Sequence, residues 1–213
     1  CSGGNGSFGQ NRITTGAFIN CEAGDYSFGH NAVAAGTFIN CTGGFESFGA
    51  NGTASGTFIN CTAEDYAFGS YGTASGTFID CVGGDLSFGS GGSADGIFRN
   101  CISNGQSFGA YGTASGTFTN CVSSYNSFGG GTGTASGTFT DCIAFDDSFG
   151  GSGVASGTFT RCNCEFSNGS FGGFGTASGV FTDCIGASES FGANGAASGV
   201  FNNCIGGNVS FGS

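Results

Sequence analysis

The residues with the most chemical potential in this chain are its cysteines. Twelve occur in 213 residues, and eleven of them open a repeated unit: Cys1, Cys21, Cys41, Cys61, Cys81, Cys101, Cys121, Cys142, Cys162, Cys184 and Cys204. A column of thiols could close disulfides, ligate metal or pack as small hydrophobes. The twelfth, Cys164, stands one residue beyond Cys162, and the C-x-x-C spacing of zinc and redox sites does not occur. Stacked cysteines lie ~4.8 Å apart, but parallel Cβ vectors hold the Cβ atoms beyond the preferred ~3.8 Å. The column is therefore expected to hold mostly reduced, buried thiols, with no metal and no other cofactor.

Groups for catalysis are scarce. His30 is the only histidine; its counterparts in other units are Gln10, Ala50 and Ser70, so a surface position in a turn is expected. A serine recurs in S-F-G without a recurring base beside it, so no triad is suggested. No G-x-x-x-x-G-K-[ST] loop occurs among the glycines. An enzyme is not expected.

Three surface patterns remain. The segment after each cysteine carries Glu22, Asp25, Glu46, Glu64, Asp65, Asp85, Asp146, Asp147, Glu165 and Glu189. These carboxylates could take Ca²⁺, which wants oxygen ligands, or form a solvated edge that blunts aggregation. The same segment carries Tyr26, Phe45, Tyr66, Tyr125, Phe145 and Phe166; an opposite turn is expected to carry Tyr71, Tyr111 and Phe174. Exposed aromatics suit contact with glycans or partner protein. The third pattern is a Thr/Ser strip, complete at Thr53, Ser55, Thr57; Thr73, Ser75, Thr77; Thr113, Ser115, Thr117; and Thr134, Ser136, Thr138. A regular hydroxyl and methyl array of this kind could bind ice, although Asp95, Ile97, Val180, Ala196 and Val200 interrupt it.

What positions these residues is a repeat. Its unit reads C-x-x-x-x-x-S-F-G-x-x-G-T-A-S-G-T-F-x-N and makes residues 1–213 one continuous array. One phenylalanine column is Phe8, Phe28, Phe48, Phe68, Phe88, Phe108, Phe128, Phe149, Phe171, Phe191 and Phe211. The other is Phe18, Phe38, Phe58, Phe78, Phe98, Phe118, Phe139, Phe159, Phe181 and Phe201. A glycine inside each T-A-S-G-T-F segment disfavours a helix by ~1 kcal/mol, and the β-branched and aromatic content favours strands. Insertions fall between Gly129 and Thr134 and between Cys162 and Ser170, which marks those places as turns. The pattern predicts an all-β, single-chain β-solenoid of about eleven flattened coils with parallel, in-register strands. S-F-G and T-A-S-G-T-F are its two expected walls.

Alternation along the longer strand turns Ala54, Gly56 and Phe58 inward and Thr53, Ser55 and Thr57 outward. Phe48 is expected to project over Gly56. The unit ends in Asn20, Asn40, Asn60, Asn100, Asn120 and Asn203, replaced by Asp80, Asp141 and Asp183 and once by Arg161. An asparagine ladder at a corner is expected, and Asp141, Arg161 and Asp183 are expected to form a charge triad.

Composition narrows the partners. The 47 glycines, 25 phenylalanines and absence of proline, methionine and tryptophan are far from ordinary globular usage. The net charge is −11, with only Arg12, Arg99 and Arg161 basic, so a nucleic-acid partner is not expected. No apolar run approaches the ~18 residues of a membrane span, no membrane insertion is expected, and no signal peptide is visible.

The alternation of S-F-G with G-T-A-S-G-T-F-x-[ND]-C, as in residues 52–61, resembles Gly-rich repeat arrays of bacteriophage tail-fibre and related appendage proteins. The resemblance covers the whole chain, and it carries over no site residues. It implies a shaft or spacer outside the cell or on a virion, assembling with itself or with other appendage proteins. The period also equals a pentapeptide-repeat coil, but the five-residue rhythm is poor. The chain opens inside the repeat and stops at Ser213 partway through a unit, so a longer array is expected. A structural, adhesive rod is the leading expectation; an ice-binding solenoid and a Ca²⁺-dependent adhesin are the alternatives.

Overall fold

The structure is a computed structural model that describes residues 1–164 and 168–212. It is a parallel β-solenoid, with no helix among the described residues. Coils contribute short strands to up to three columns, shown by Thr53–Ala54, Thr57–Ile59 and Thr62–Ala63; in several coils the third is an isolated bridge, as at Val122 and Ile143. The Thr57–Ile59 column forms a ten-stranded sheet and the Thr53–Ala54 column a nine-stranded one. Pairing is in register, unit on unit: Phe58 meets Phe38 and Phe78, and Ala54 meets Ala34 and Ala74.

About nine turns result, fewer than the eleven expected from the unit starts. The last unit stops before its T-A-S-G-T-F segment, and the first contributes only an isolated bridge at Thr14 to the nine-stranded column.

The placement of strands differs from expectation in two ways. S-F-G is not a wall but a corner. Phe68 sits at φ 48° and Gly69 at φ 74°, both left-handed. A non-glycine residue there costs about 1–3 kcal/mol, which burying the ring offsets at about 1.5–3 kcal/mol. The second difference is that residues after the cysteine, expected as a turn, pair as strands, with Thr62 against Thr42 and Val82.

The long segment also breaks in the middle. Both the Ser55 and Gly56 amides donate to the Ala34 carbonyl, 3.0 Å away, which kinks the chain between its two strands. The result is three strand columns instead of two walls. In the coil that opens at Cys61, Tyr66, Phe68, Tyr71 and Asp80 take φ of 59°, 48°, 54° and 54°. At Tyr66, Tyr71 and Asp80 the amide points to the following coil (Tyr71 N to Ser90 O, 2.7 Å), whereas the Thr57 amide, at the start of its strand, donates to the preceding one (Gly36 O, 3.0 Å).

The core is a double aromatic ladder. From Phe28 to Phe211, successive rings of the S-F-G column stack 4.7–4.9 Å apart. The second column stacks at 4.8–4.9 Å from Phe38 to Phe181. The two columns meet edge to face, for example Phe38 on Phe48 at 5.5 Å and Phe88 on Phe98 at 6.0 Å. Offset stacks along the axis and T-shaped contacts across it are the arrangements that ring quadrupoles favour. Phe8, Phe18 and Phe201, in the end coils, are partly buried.

Ala54, Gly56 and Phe58 all face inward, and Ser55 is exposed. Gly56 does not lie under Phe48, however. A Cβ on Gly56 would stand 2.2 Å from the Gly36 carbonyl oxygen, so the glycine is required by the backbone of the coil below. The glycine that meets the Phe48 ring is Gly43, on the strand after Cys41.

Candidate functional site

Because S-F-G is a tight corner, the turns on either side of it meet. The aromatic residues expected on opposite edges therefore share one. Tyr26 contacts Phe45 (6.0 Å), Phe45 contacts Tyr66 (5.2 Å), and Tyr66 stacks on Tyr71 from the other turn (5.7 Å). Tyr71 is 54% exposed and Tyr111 48%. Polar side chains bridge the same two turns: Asn51 Nδ2 donates to Glu46 Oε2 (3.3 Å), Asn126 Nδ2 to the Tyr111 hydroxyl (3.2 Å) and Ser152 Oγ to Asp147 Oδ1 (3.1 Å). One edge of the solenoid thus mixes aromatic rings with carboxylates along its length. Glu165 and Phe166, expected on this edge, lie outside the described residues.

His30 lies beneath this edge and not on the surface. It is buried, its Nδ1 is 3.0 Å from the Glu46 carbonyl oxygen and 3.5 Å from Glu46 Oε2, and its ring packs on Tyr26. The tight corner brings Glu46 of the next coil over it, a contact that linear spacing conceals.

Several acidic residues have structural work. Asp25 Oδ1 accepts from the Phe45 amide (3.0 Å) and Asp65 Oδ1 from the Asp85 amide (2.8 Å), so each carboxylate caps the coil above. Burial raises the Asp147 pKa above the usual carboxylate value, against the hydrogen bond from Ser152. Among the described residues no group of three or more histidine, cysteine, aspartate or glutamate side chains gathers as a cation site.

From Ser87 to Ser148 the serines of S-F-G are buried acceptors, not surface nucleophiles, whereas Ser47 Oγ is buried without a hydrogen-bond partner. Ser107 Oγ accepts from the Ser87 amide (3.1 Å), Ser127 Oγ from the Ser107 amide (3.3 Å) and Ser148 Oγ from the Ser127 amide (3.1 Å). The serine column is a hydrogen-bond ladder beside the aromatic one. Its recurrence in the sequence was the signal for that role, but the direction of its bonds requires the corner.

The Thr/Ser strip does not form a single plane. Thr53, Thr73, Thr113 and Thr134 belong to the nine-stranded sheet, and Thr57, Thr77, Thr117 and Thr138 to the ten-stranded one. Ser55, Ser75, Ser115 and Ser136 occupy the kink between them. The outward pairs that do share a sheet are Thr57 with Ile59 and Thr117 with Thr119, a pairing sequence reasoning missed although T-F-I and T-F-T recur openly.

At the unit's last position the side chains form a ladder. Asn40 Nδ2 donates to Asn20 Oδ1 and Asn60 Nδ2 to Asn40 Oδ1, each at 3.0 Å, with all three residues left-handed. The charged trio divides into two pairs. Arg161 binds Asp141 through both Nε (2.7 Å) and Nη2 (2.8 Å), whereas Asp183 accepts from Asn203 Nδ2 (2.7 Å). The guanidinium holds the Asp141 pKa below its usual value. Asp141 takes the Nε–Nη2 side of the guanidinium with both oxygens, while Asp183 accepts from Asn203.

The cysteine column is inside, and Cys41 through Cys184 are buried. One pair departs from the reduced state expected: Cys1 and Cys21 are disulfide-bonded, with Cα atoms 4.5 Å apart. Cys164 belongs to a neighbouring inward column, where its sulfur meets Ser170 Oγ at 2.6 Å. No known protein family, curated protein or solved structure matches the chain.

Proposed function

We propose that the chain is a stretch of a structural rod from an extracellular or virion fibre, with the aromatic–carboxylate edge as its contact surface. The observation that carries this reading is the unbroken double phenylalanine ladder. A ladder with one ring pair per coil sets a fixed rise, so length is simply the number of coils. About ten steps at the inter-strand spacing give roughly 50 Å. Such a stack gains stability from nearest-neighbour coils and serves as a spacer of any length. The buried side chains are committed to holding coils together, which leaves the outer edge for recognition. Its exposed tyrosines beside carboxylates and amides suit stacking on sugar rings together with hydrogen bonds to their hydroxyls.

Immunogold electron microscopy with an antibody against the chain tests the fibre reading. Label running along filaments or appendages is the expected result. Label on dispersed soluble material alone overturns it.

A second reading, ice binding, is favoured by one observation. Threonines at 37, 57, 77, 117, 138 and 158 stand in register on the ten-stranded sheet, interrupted by Ile97 and ending at Val180 and Val200. Thermal hysteresis with ice shaping by the purified chain would support it; the absence of both excludes it.

A further inference from the structure

The cysteine column has a geometry that its single bond only begins to use. Cys1 and Cys21 are joined with Cα atoms 4.5 Å apart, inside the range for a disulfide between stacked chains. The parallel pairing that flanks that bond, Ser2 with Glu22, continues up the column: Glu22 with Thr42, Thr42 with Thr62, Val82 with Ile102, Ile102 with Val122 and Val122 with Ile143. Each pair immediately follows two cysteines, so the in-register pairing beside the first rung recurs beside the others. The thiols also interact in succession, Cys61 with Cys81, Cys81 with Cys101 and onward to Cys184.

We propose that the column is a disulfide ladder, in which cysteines of consecutive units close pairwise and staple each coil to the next. A sulfur can join only one neighbour, so the bonds alternate with unbonded steps. The Cys1–Cys21 bond sets the phase: Cys41–Cys61, Cys81–Cys101, Cys121–Cys142 and Cys162–Cys184 follow. Closure needs an oxidant, for which a small soluble disulfide suffices. One cysteine thiolate attacks the small disulfide and releases one small thiol. The neighbouring thiolate then displaces the second, forming the protein S–S bond. The two cysteines lose two protons and two electrons, and the small disulfide becomes two thiols.

Timing follows from burial. In the finished coil the hydrogen bond with Cys101, together with burial, pushes the Cys81 thiol pKa up to about 12, and a protonated thiol is a poor nucleophile. Coils added one at a time leave the newest cysteine on the growing end, as the half-buried Cys204 is here. Closure therefore accompanies folding.

The test refolds the full chain from reductant and denaturant into a buffer of oxidised and reduced glutathione. Remaining thiols are alkylated, the product is cut with pepsin at low pH to prevent exchange, and linked peptides are identified by mass spectrometry. Links confined to consecutive units, in the stated phase, are the expected result. Thiols that remain alkylatable throughout the column, or links between non-consecutive units, overturn the proposal. The variant Cys81→Ser sharpens it. Downstream bonds should shift by one rung, to Cys101–Cys121, Cys142–Cys162 and Cys184–Cys204, which pairs every remaining cysteine of the column. Downstream pairs that keep the original phase would show rungs that are not interchangeable, and the ladder would be refuted.

Discussion

The interior of the coil and the edge beside the S-F-G corner solve opposite problems with the same repeat. Inside, every unit places phenylalanine, alanine and cysteine where the unit below placed them, and the rings stack within a few degrees of parallel. On the edge, the position two before the S-F-G phenylalanine, from Phe28 to Phe149, is Tyr26, Glu46, Tyr66, Leu86, Gln106, Asn126 and Asp147 in turn, all left-handed. The interior is uniform because each residue is packed against copies of itself. The edge is varied because its backbone bonds are fixed by the corner and its side chains face solvent. Variation in composition is thus confined to the surface that a partner would meet.

The sharpest way to break the interior is Phe98→Ala. Phe98 stacks on Phe78 and Phe118 at 4.8 Å and meets Phe88 and Phe108 edge-on. The substitution should cost about 3–5 kcal/mol, read as a lower midpoint in urea unfolding. Next comes a methyl group added to the interior. Gly96→Ala drives a Cβ to 2.2 Å from the Gly76 carbonyl oxygen, and since backbone cannot swing aside, a loss of about 2–3 kcal/mol is expected. An unchanged midpoint would refute the close approach of successive coils at this glycine.

The solenoid was legible in the sequence because its cause is periodic: two phenylalanine columns and a recurring glycine leave no other way to bury the rings. The corner was not, because nothing local marks Phe48 as left-handed. Phenylalanine prefers extended backbone, and only the gain from burying its ring in a ladder of identical rings overrides that preference. Strand spacing for S-F-G places Tyr66 and Tyr71 on opposite edges, which conceals the mixed aromatic–carboxylate edge. Gly56 was recognised as necessary, but for the wrong neighbour: side-chain alternation points to a ring across the coil, whereas the obstacle is the carbonyl of Gly36 one unit earlier. Cys1–Cys21 was missed because a Cβ separation inferred from ideal parallel strands leaves no room for the local adjustment that brings the Cα atoms to 4.5 Å.

The corner between the two regions separates conformational from hydrogen-bonding effects. Asn60 is left-handed at φ 51°, donates its side-chain amide to Asn40 and packs nothing into the core. Asn60→Ala removes that rung and puts a residue with a left-handed penalty in its place, so a loss of about 1–2 kcal/mol is expected. Asn60→Gly removes the same rung without the penalty and should recover about half of that loss. If the two variants unfold at the same denaturant concentration, the ladder, not the left-handed backbone, explains asparagine at this position.

The smallest effect belongs to the edge, and it has a sign that distinguishes burial from pairing. Asp147 is partly buried, and its pKa is raised in the folded chain. A raised carboxylate pKa means that the folded state prefers the proton, so ionisation opposes folding above the folded pKa. The penalty is complete at neutral pH, diminishes as pH falls through the folded pKa, and is gone below the unfolded value. Asp147→Asn keeps an oxygen acceptor for Ser152 Oγ and removes the charge. It should raise Tm at neutral pH by up to about 2 °C, with the gain vanishing in acid. Arg161 and Asp141 give the opposite slope: the lowered Asp141 pKa stabilises at neutral pH, and that contribution disappears as acid protonates the carboxylate, though solvent exposure keeps it small. A gain from Asp147→Asn that persists unchanged into acid would trace it to packing at the edge and leave its charge without a role.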